Sequence, residues 1–163
     1  RAVGVSNFGV GHLEEIDAAG LPLPAVNQIE LHPWSQKPEL IDYMERKGIR
    51  AIAYSSLVPL ASWRSKEGQK SAKTAEMRAA GERADSPFRA MAEKYGGSEA
   101  QVLLRWAVQK GFGVIPKSTS QERMRENLDL FSFEIDASDM AAIERMDRGG
   151  GVAWAAGDPL STG

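Results

Sequence analysis

Lys117-Ser118-Thr119-Ser120, with Arg123 a turn further on, is the sharpest chemical signal in the sequence. These residues follow an apolar run and precede a helical one. The free N–H groups and dipole of a helix start attract phosphate, and two cations add full charge. The same segment also reads as a capped helix with two solvated cations, and alone it does not separate the two. Tyr54 offers a face on which a flat ligand can stack, or a ring packed by its neighbours. Gln28 carries donor and acceptor on one amide, which suits a carboxamide partner or a satisfied buried amide. Glu30 is a candidate base or a loop-side ion-pair partner. His12 and His32 are the two histidines. The first reads as a residue of an exposed helix and the second, before Pro33, as structural. With no cysteine, thiol chemistry and Cys-based zinc sites are excluded, and no cluster has metal-ligand spacing.

The elements that must hold these residues alternate. Short apolar runs at Ala2–Val5, Ala25–Ile29, Ile49–Tyr54 and Gly113–Pro116 read as buried strands. Between and after them, Gly9–Ala19, Pro38–Lys47, Ser86–Lys94, Gln101–Lys110, Ser120–Leu130 and Ala137–Met146 read as helices. Pro38 is tolerated in a first turn and Gly48 ends that helix. Ser98 and Gln101 have capping-box spacing, and Trp106 falls in the core. The polar stretch from about Ser62 to Asp85 reads as a surface insertion, and the Gly-rich tail 149–163 as irregular. Alternation of this kind means parallel βαβ units. Four units make half of an eight-stranded barrel, which needs roughly 250 residues when complete. In such barrels chemistry sits at the carboxyl ends of the strands. Those ends carry Ser6-Asn7, then Asn27, Gln28 and Glu30, then Tyr54-Ser55-Ser56, and finally Lys117-Ser118.

The bulk properties fit this architecture. The chain has 163 residues, 42% hydrophobic and 26% charged, and a net charge of −2. This is the range of soluble globular domains, and it argues against a general nucleic-acid or membrane-surface binder. No apolar run is long enough to span a bilayer, and a cytoplasmic location is expected. Arg1-Ala2-Val3-Gly4-Val5 opens inside a strand-like run without an initiator Met, so a chain truncated at that end is expected.

Six segments in order resemble the aldo-keto reductase family. Gly4-Val5-Ser6-Asn7-Phe8 is similar to its GxSNF segment, and Asn27-Gln28-Ile29-Glu30-Leu31-His32-Pro33 to its NQxExHP segment. Gly48-Ile49 followed by Ala53-Tyr54-Ser55-Ser56-Leu57 resembles GI…AYSPL, with Ser56 in place of the usual Pro. Gln101-Val102-Leu103-Leu104-Arg105-Trp106, Val114-Ile115-Pro116-Lys117-Ser118, and the R-x-x-E-N of Arg123, Glu126 and Asn127 complete the set. The resemblance implies the C-terminal half of a (β/α)₈ barrel over residues 1–148 and an NADPH-dependent reduction of a small aldehyde or ketone. It implies that Ser6, Asn7 and Gln28 hold the nicotinamide carboxamide and that Tyr54 stacks on the ring. Ser55 and Leu57 would line the pyrophosphate path. Lys117, Ser118, Thr119 and Arg123 would bind the 2′-phosphate side, and Glu126 and Asn127 would contact adenine. Two cations there favour NADPH over NADH.

The family's proton donor is a Tyr assisted by Lys, Asp and His, all carried by the first four strands of the barrel. No residue of this chain matches them, so the isolated chain is expected to have little or no reductase activity. The outermost strand edges, Ala2–Val5 and Gly113–Pro116, invite pairing with another chain. The parent enzyme is expected to be a monomer that acts on a small carbonyl or alcohol, without nucleic-acid or membrane partners. Two other functions are weighed: a non-catalytic NADP-binding regulatory module of the same fold, and a barrel for another phosphorylated ligand. The His32-Pro33 segment looks more like the enzymes than the regulatory subunits, and Tyr54 with Gln28 points to nicotinamide.

Overall fold

Runs rich in β-branched and small apolar residues form four strands, and each is followed by helical sequence. In the computed structural model, residues 2–60, 86–149 and 160 are described. They run β1 (Gly4–Ser6), α1 (Val10–Ala18), β2 (Val26–Glu30), α2 (Pro38–Arg46), β3 (Arg50–Tyr54), α3 (Pro87–Tyr95), α4 (Glu99–Gln109), β4 (Gly113–Val114), α5 (Gln121–Leu128) and α6 (Ala137–Glu144). The expected insertion and nearly all of the expected tail lie outside the described residues.

The strands form one sheet in the order β1-β2-β3-β4, and every neighbouring pair is parallel. All four carboxyl ends therefore lie along one end of the sheet. The register sets Ser6 opposite Gln28, Gln28 opposite Ile52, Glu30 opposite Tyr54 and Ile52 opposite Gly113. This is an α/β fold equivalent to four βα units of a (β/α)₈ barrel, as the alternation predicted. Strand limits differ from expectation by a residue or two. β4 stops at Val114, two residues short, because Pro116 has no N–H to give a ladder.

Period-two burial separates the two faces of the sheet. Asn27, Ile29, Ala51 and Ala53 are buried, whereas Val26, Gln28, Ile52 and Tyr54 are half-buried. The buried face packs under the helices, where Leu13, Leu40, Ile41, Met44, Phe88, Val102, Leu103 and Trp106 join it in one core. Trp106 is in the core, as expected. The other face is the inner wall of the barrel and carries Gln28 and Tyr54. α4 opens with the predicted capping box, in which Ser98 Oγ accepts from Gln101 N and Gln101 Oε1 accepts from Ser98 N.

Candidate functional site

The first two strands are locked together at their carboxyl ends. Ser6 Oγ donates to the carbonyl of Gln28 at 2.9 Å, and Asn7 N donates to the same carbonyl at 3.0 Å. Asn7 then turns into the left-handed region with φ 59°, and Ser55, directly after β3, does the same with φ 55°. Such a backbone costs a non-glycine residue about 1–3 kcal/mol and gathers at functional sites. Asn is the side chain that tolerates it best after glycine. Tyr54 Oη donates to Asn7 Oδ1 at 2.9 Å, a bond that spans the sheet from β3 to the end of β1. It fixes the Asn7 amide with Nδ2 left over as a donor. The Gln28 side-chain amide has no hydrogen-bond partner among the described residues. Ser6, Asn7, Gln28 and Tyr54 thus meet at one end of the sheet, as the sequence predicted.

After Ser55 the chain turns through Ser55–Val58 and Leu57–Leu60 carbonyl-to-amide bonds of 3.0 Å each. Ser56 is buried, and its hydroxyl donates to the Ala53 carbonyl at 3.3 Å. This side-chain bond ties the turn back to the end of β3. Leu57 is half-buried against the core.

Lys117, Ser118 and Thr119 follow β4 at the same end of the sheet and lead into α5. Ser118 Oγ accepts from Ser120 N at 3.1 Å. Ser120 is the N-cap, and its hydroxyl accepts from Arg123 N at 3.4 Å. Two N–H groups of this turn are therefore already satisfied by hydroxyls. The amides of Gln121 and Glu122, in the first turn, have no intrahelical acceptor. Lys117, Thr119 and Arg123 are exposed, and Glu126 and Asn127 are half-buried. No acidic side chain pairs with Lys117 or Arg123 among the described residues.

The remaining titratable residues of the sheet end are committed elsewhere. Glu30 and His32 are both buried, with His32 Nε2 at 2.7 Å from Glu30 Oε1. Trp34 N donates to His32 Nδ1 at 3.3 Å, so Nε2 carries the ring proton toward the carboxylate. Burial holds the His32 pKa below its ordinary value, against the opposing pull of Glu30. This pair organises the turn after β2, where His32 and Ser35 exchange backbone bonds. The structural reading of His32 agrees with this geometry. Glu30 pairs inside the protein rather than at a loop surface. His12 is half-buried rather than on an exposed face. Its Nδ1 accepts from Gly9 N at 2.9 Å and closes the start of α1.

Asn27, placed at the strand end by the sequence, lies outside the predicted cofactor-binding residues. Its side chain is fully buried and grips the backbone of Phe8: Nδ2 donates to the Phe8 carbonyl at 2.7 Å and Oδ1 accepts from Phe8 N at 3.3 Å. Strand parity could have found it. An amide at a helix-facing position between Val26 and Gln28-Ile29 must have internal partners. Among the described residues no group of three or more His, Asp or Glu could hold a metal ion, and no helix is long and apolar enough to cross a membrane.

Comparison with known proteins places this arrangement. The model of the Aldo/keto reductase family matches residues 1–148. An uncharacterized oxidoreductase of Schizosaccharomyces pombe is 40% identical over 148 residues, which are 90% of this chain and 46% of that protein. The probable NAD(P)H-dependent D-xylose reductase of Aspergillus flavus is 38% identical over 91% of this chain and 45% of its own length. Among solved structures, a Bombyx mori aldo-keto reductase in complex with NADP superposes with a TM-score of 0.74 at 32% identity, covering 91% of this chain and 45% of that one. The chain spans about half the length of the curated relatives it matches. A parallel four-stranded half-barrel carrying the ordered motif set belongs to the aldo/keto reductase family.

Proposed function

We propose that this chain is the nucleotide-holding half of an NADPH-dependent aldehyde or ketone reductase. The observation that carries the proposal is the donor set at the carboxyl end of the sheet. There the Asn7 Nδ2 and the Gln28 amide are uncommitted beside the Tyr54 ring. Two cations without acidic partners among the described residues follow β4. This set fits a phosphorylated nicotinamide nucleotide: two amides for a carboxamide, an aromatic face for a planar ring, and cations for a dianion. When bound, the dinucleotide supplies the hydride that reduces the carbonyl carbon.

In this reading Ser6, Asn7 and Gln28 orient the carboxamide, and Tyr54 stacks on the ring and fixes its exposed face. Ser55 and Leu57 flank the pyrophosphate. Lys117, Ser118, Thr119 and Arg123 hold the 2′-phosphate, while Glu126 and Asn127 meet adenine. The proton donor and its Lys, Asp and His partners belong to the other half of the barrel, outside these 163 residues. The substrate is a small carbonyl compound or the matching alcohol, the setting is cytoplasmic, and the chain expressed alone self-associates through its open strand edges.

Fluorescence titration with NADPH, NADH and a plain sugar phosphate tests the proposal. NADPH is expected to bind most tightly, the sugar phosphate least, and a coupled NADPH-oxidation assay of the same sample to show little or no turnover. Equal affinity for all three ligands overturns the site, and normal turnover overturns the division of labour between halves.

A further inference from the structure

We infer that Asn27, which faces the helices and not the ligand side of the sheet, is a positioning residue for the nicotinamide end of the nucleotide. The inference rests on the cofactor reading above. Asn7 N makes the last bond of this segment to a strand backbone, at the Gln28 carbonyl, and Phe8 beyond it is held by a side chain instead. Asn27 supplies one. Its amide takes both hydrogen-bonding groups of Phe8, carbonyl at 2.7 Å and N–H at 3.3 Å, as a further strand residue would. Phe8 directly follows Asn7, whose left-handed φ of 59° is held only while the backbone on either side is held. On one side Asn7 N is bonded to the Gln28 carbonyl at 3.0 Å. On the other stands the Asn27 grip. From above, Tyr54 Oη fixes the Asn7 amide.

Asn27 is itself immovable. It has no exposed surface, and Nδ2 also lies 3.7 Å from Met44 Sδ on α2. β2 thus places Gln28 toward the ligand side directly and Asn7 through its neighbour Asn27. Two successive residues of one strand, facing opposite ways, set both carboxamide-binding amides.

The test separates the two ends of the nucleotide. Ligands are NADPH and 2′-phosphoadenosine diphosphate ribose, which keeps the adenine and phosphate groups but lacks nicotinamide. In the full chain, Asn27→Leu removes both bonds while keeping the branched shape of the side chain. Asn27→Asp keeps the acceptor for Phe8 N and loses the donor to its carbonyl. Leu103→Met changes the same core at a residue that makes no hydrogen bond to Asn27. Loss of an orienting bond is worth about a factor of ten in affinity. NADPH is expected to weaken roughly tenfold in Asn27→Leu and at least as much in Asn27→Asp, whose buried carboxylate faces the Phe8 carbonyl, while the nicotinamide-free ligand changes by less than about twofold. Leu103→Met is expected to leave both affinities unchanged.

Equal weakening of both ligands, or of neither, overturns the inference and leaves the cofactor reading standing. Loss of the helical circular dichroism signal in both Asn27 variants makes the residue a folding element and also overturns it. A parent chain that binds neither nucleotide sinks the cofactor reading, and this inference with it.

Discussion

At the scale of the single residue, the buried Glu30–His32 couple has a measurable signature. Burial lowers the His32 pKa from its ordinary 6.5. Between the lowered folded value and 6.5, the unfolded chain binds more protons than the folded one, so unfolding free energy rises with pH across that window and levels off above it. Chemical denaturation at pH 5.5 and 7.5 is expected to give lower stability at the acid end, and His32→Asn a smaller difference between the two pH values. A difference as large in the variant as in the parent contradicts this. Residue chemistry was legible where types are distinctive: Tyr54, Gln28, Lys117 and Arg123 all stand at the expected end of the sheet. What the sequence hid were pairings. Neither the Tyr54–Asn7 bond nor the Asn27–Phe8 grip can be read without knowing which strands adjoin and in what register. His12 stands on a helix that is mostly exposed, but its ring is half-buried because it accepts from the Gly9 amide, a local bond that helical periodicity does not report.

At the scale of the element, start and stop signals located helices better than strands. The capping box at Ser98 and Gln101 is formed as its spacing predicted. Ser98→Ala is expected to cost about 1 kcal/mol in global stability, the usual value of an N-cap side chain. Thermal unfolding of the variant checks it, and an unchanged midpoint speaks against the cap. The cost extends beyond the helix, because the partner Gln101 also donates from Nε2 to the Asp129 carbonyl at 2.8 Å. α4 is a polar scaffold for the segment after α5 as well as a core helix: Arg105 donates to the Leu130 carbonyl at 2.9 Å and Gln109 to that of Ile135 at 3.0 Å. This use is not visible in the sequence, since Gln and Arg on a helix read first as solvated. Strands were harder to bound because buried parallel runs lose the alternation that marks their ends, and β4 is two residues long.

At the scale of the whole molecule, β1 and β4 are the outermost strands of the sheet. Val3 is 62% exposed beside one and Ile115 50% exposed beside the other, with Met124, Leu128 and Phe131 also exposed on and after α5. Among the described residues no strand pairs with the outer side of either, and unpaired edges of this kind template association. Light scattering is expected to find dimers or larger species of the isolated chain, and Val3→Lys combined with Ile115→Lys to shift it toward monomer. A dispersed monomer in the parent chain contradicts the expectation. The half-barrel was legible from the order of runs alone, whereas the bond between distant segments was not. Gln36 reaches across that distance: Nε2 donates to the carbonyls of Pro33 and Ile143 at 2.8 Å each, and its backbone N–H to Asp147. Arg148 lies over the Trp34 ring at 4.2 Å. Gln36 and Ile143 are 107 positions apart, and ribosomes add about 5–20 residues per second, so roughly 5 to 20 seconds separate their synthesis. Throughout that interval Trp34 waits on the nascent chain without its cover. The loop that follows β2 is completed only once the segment after α6 has been made.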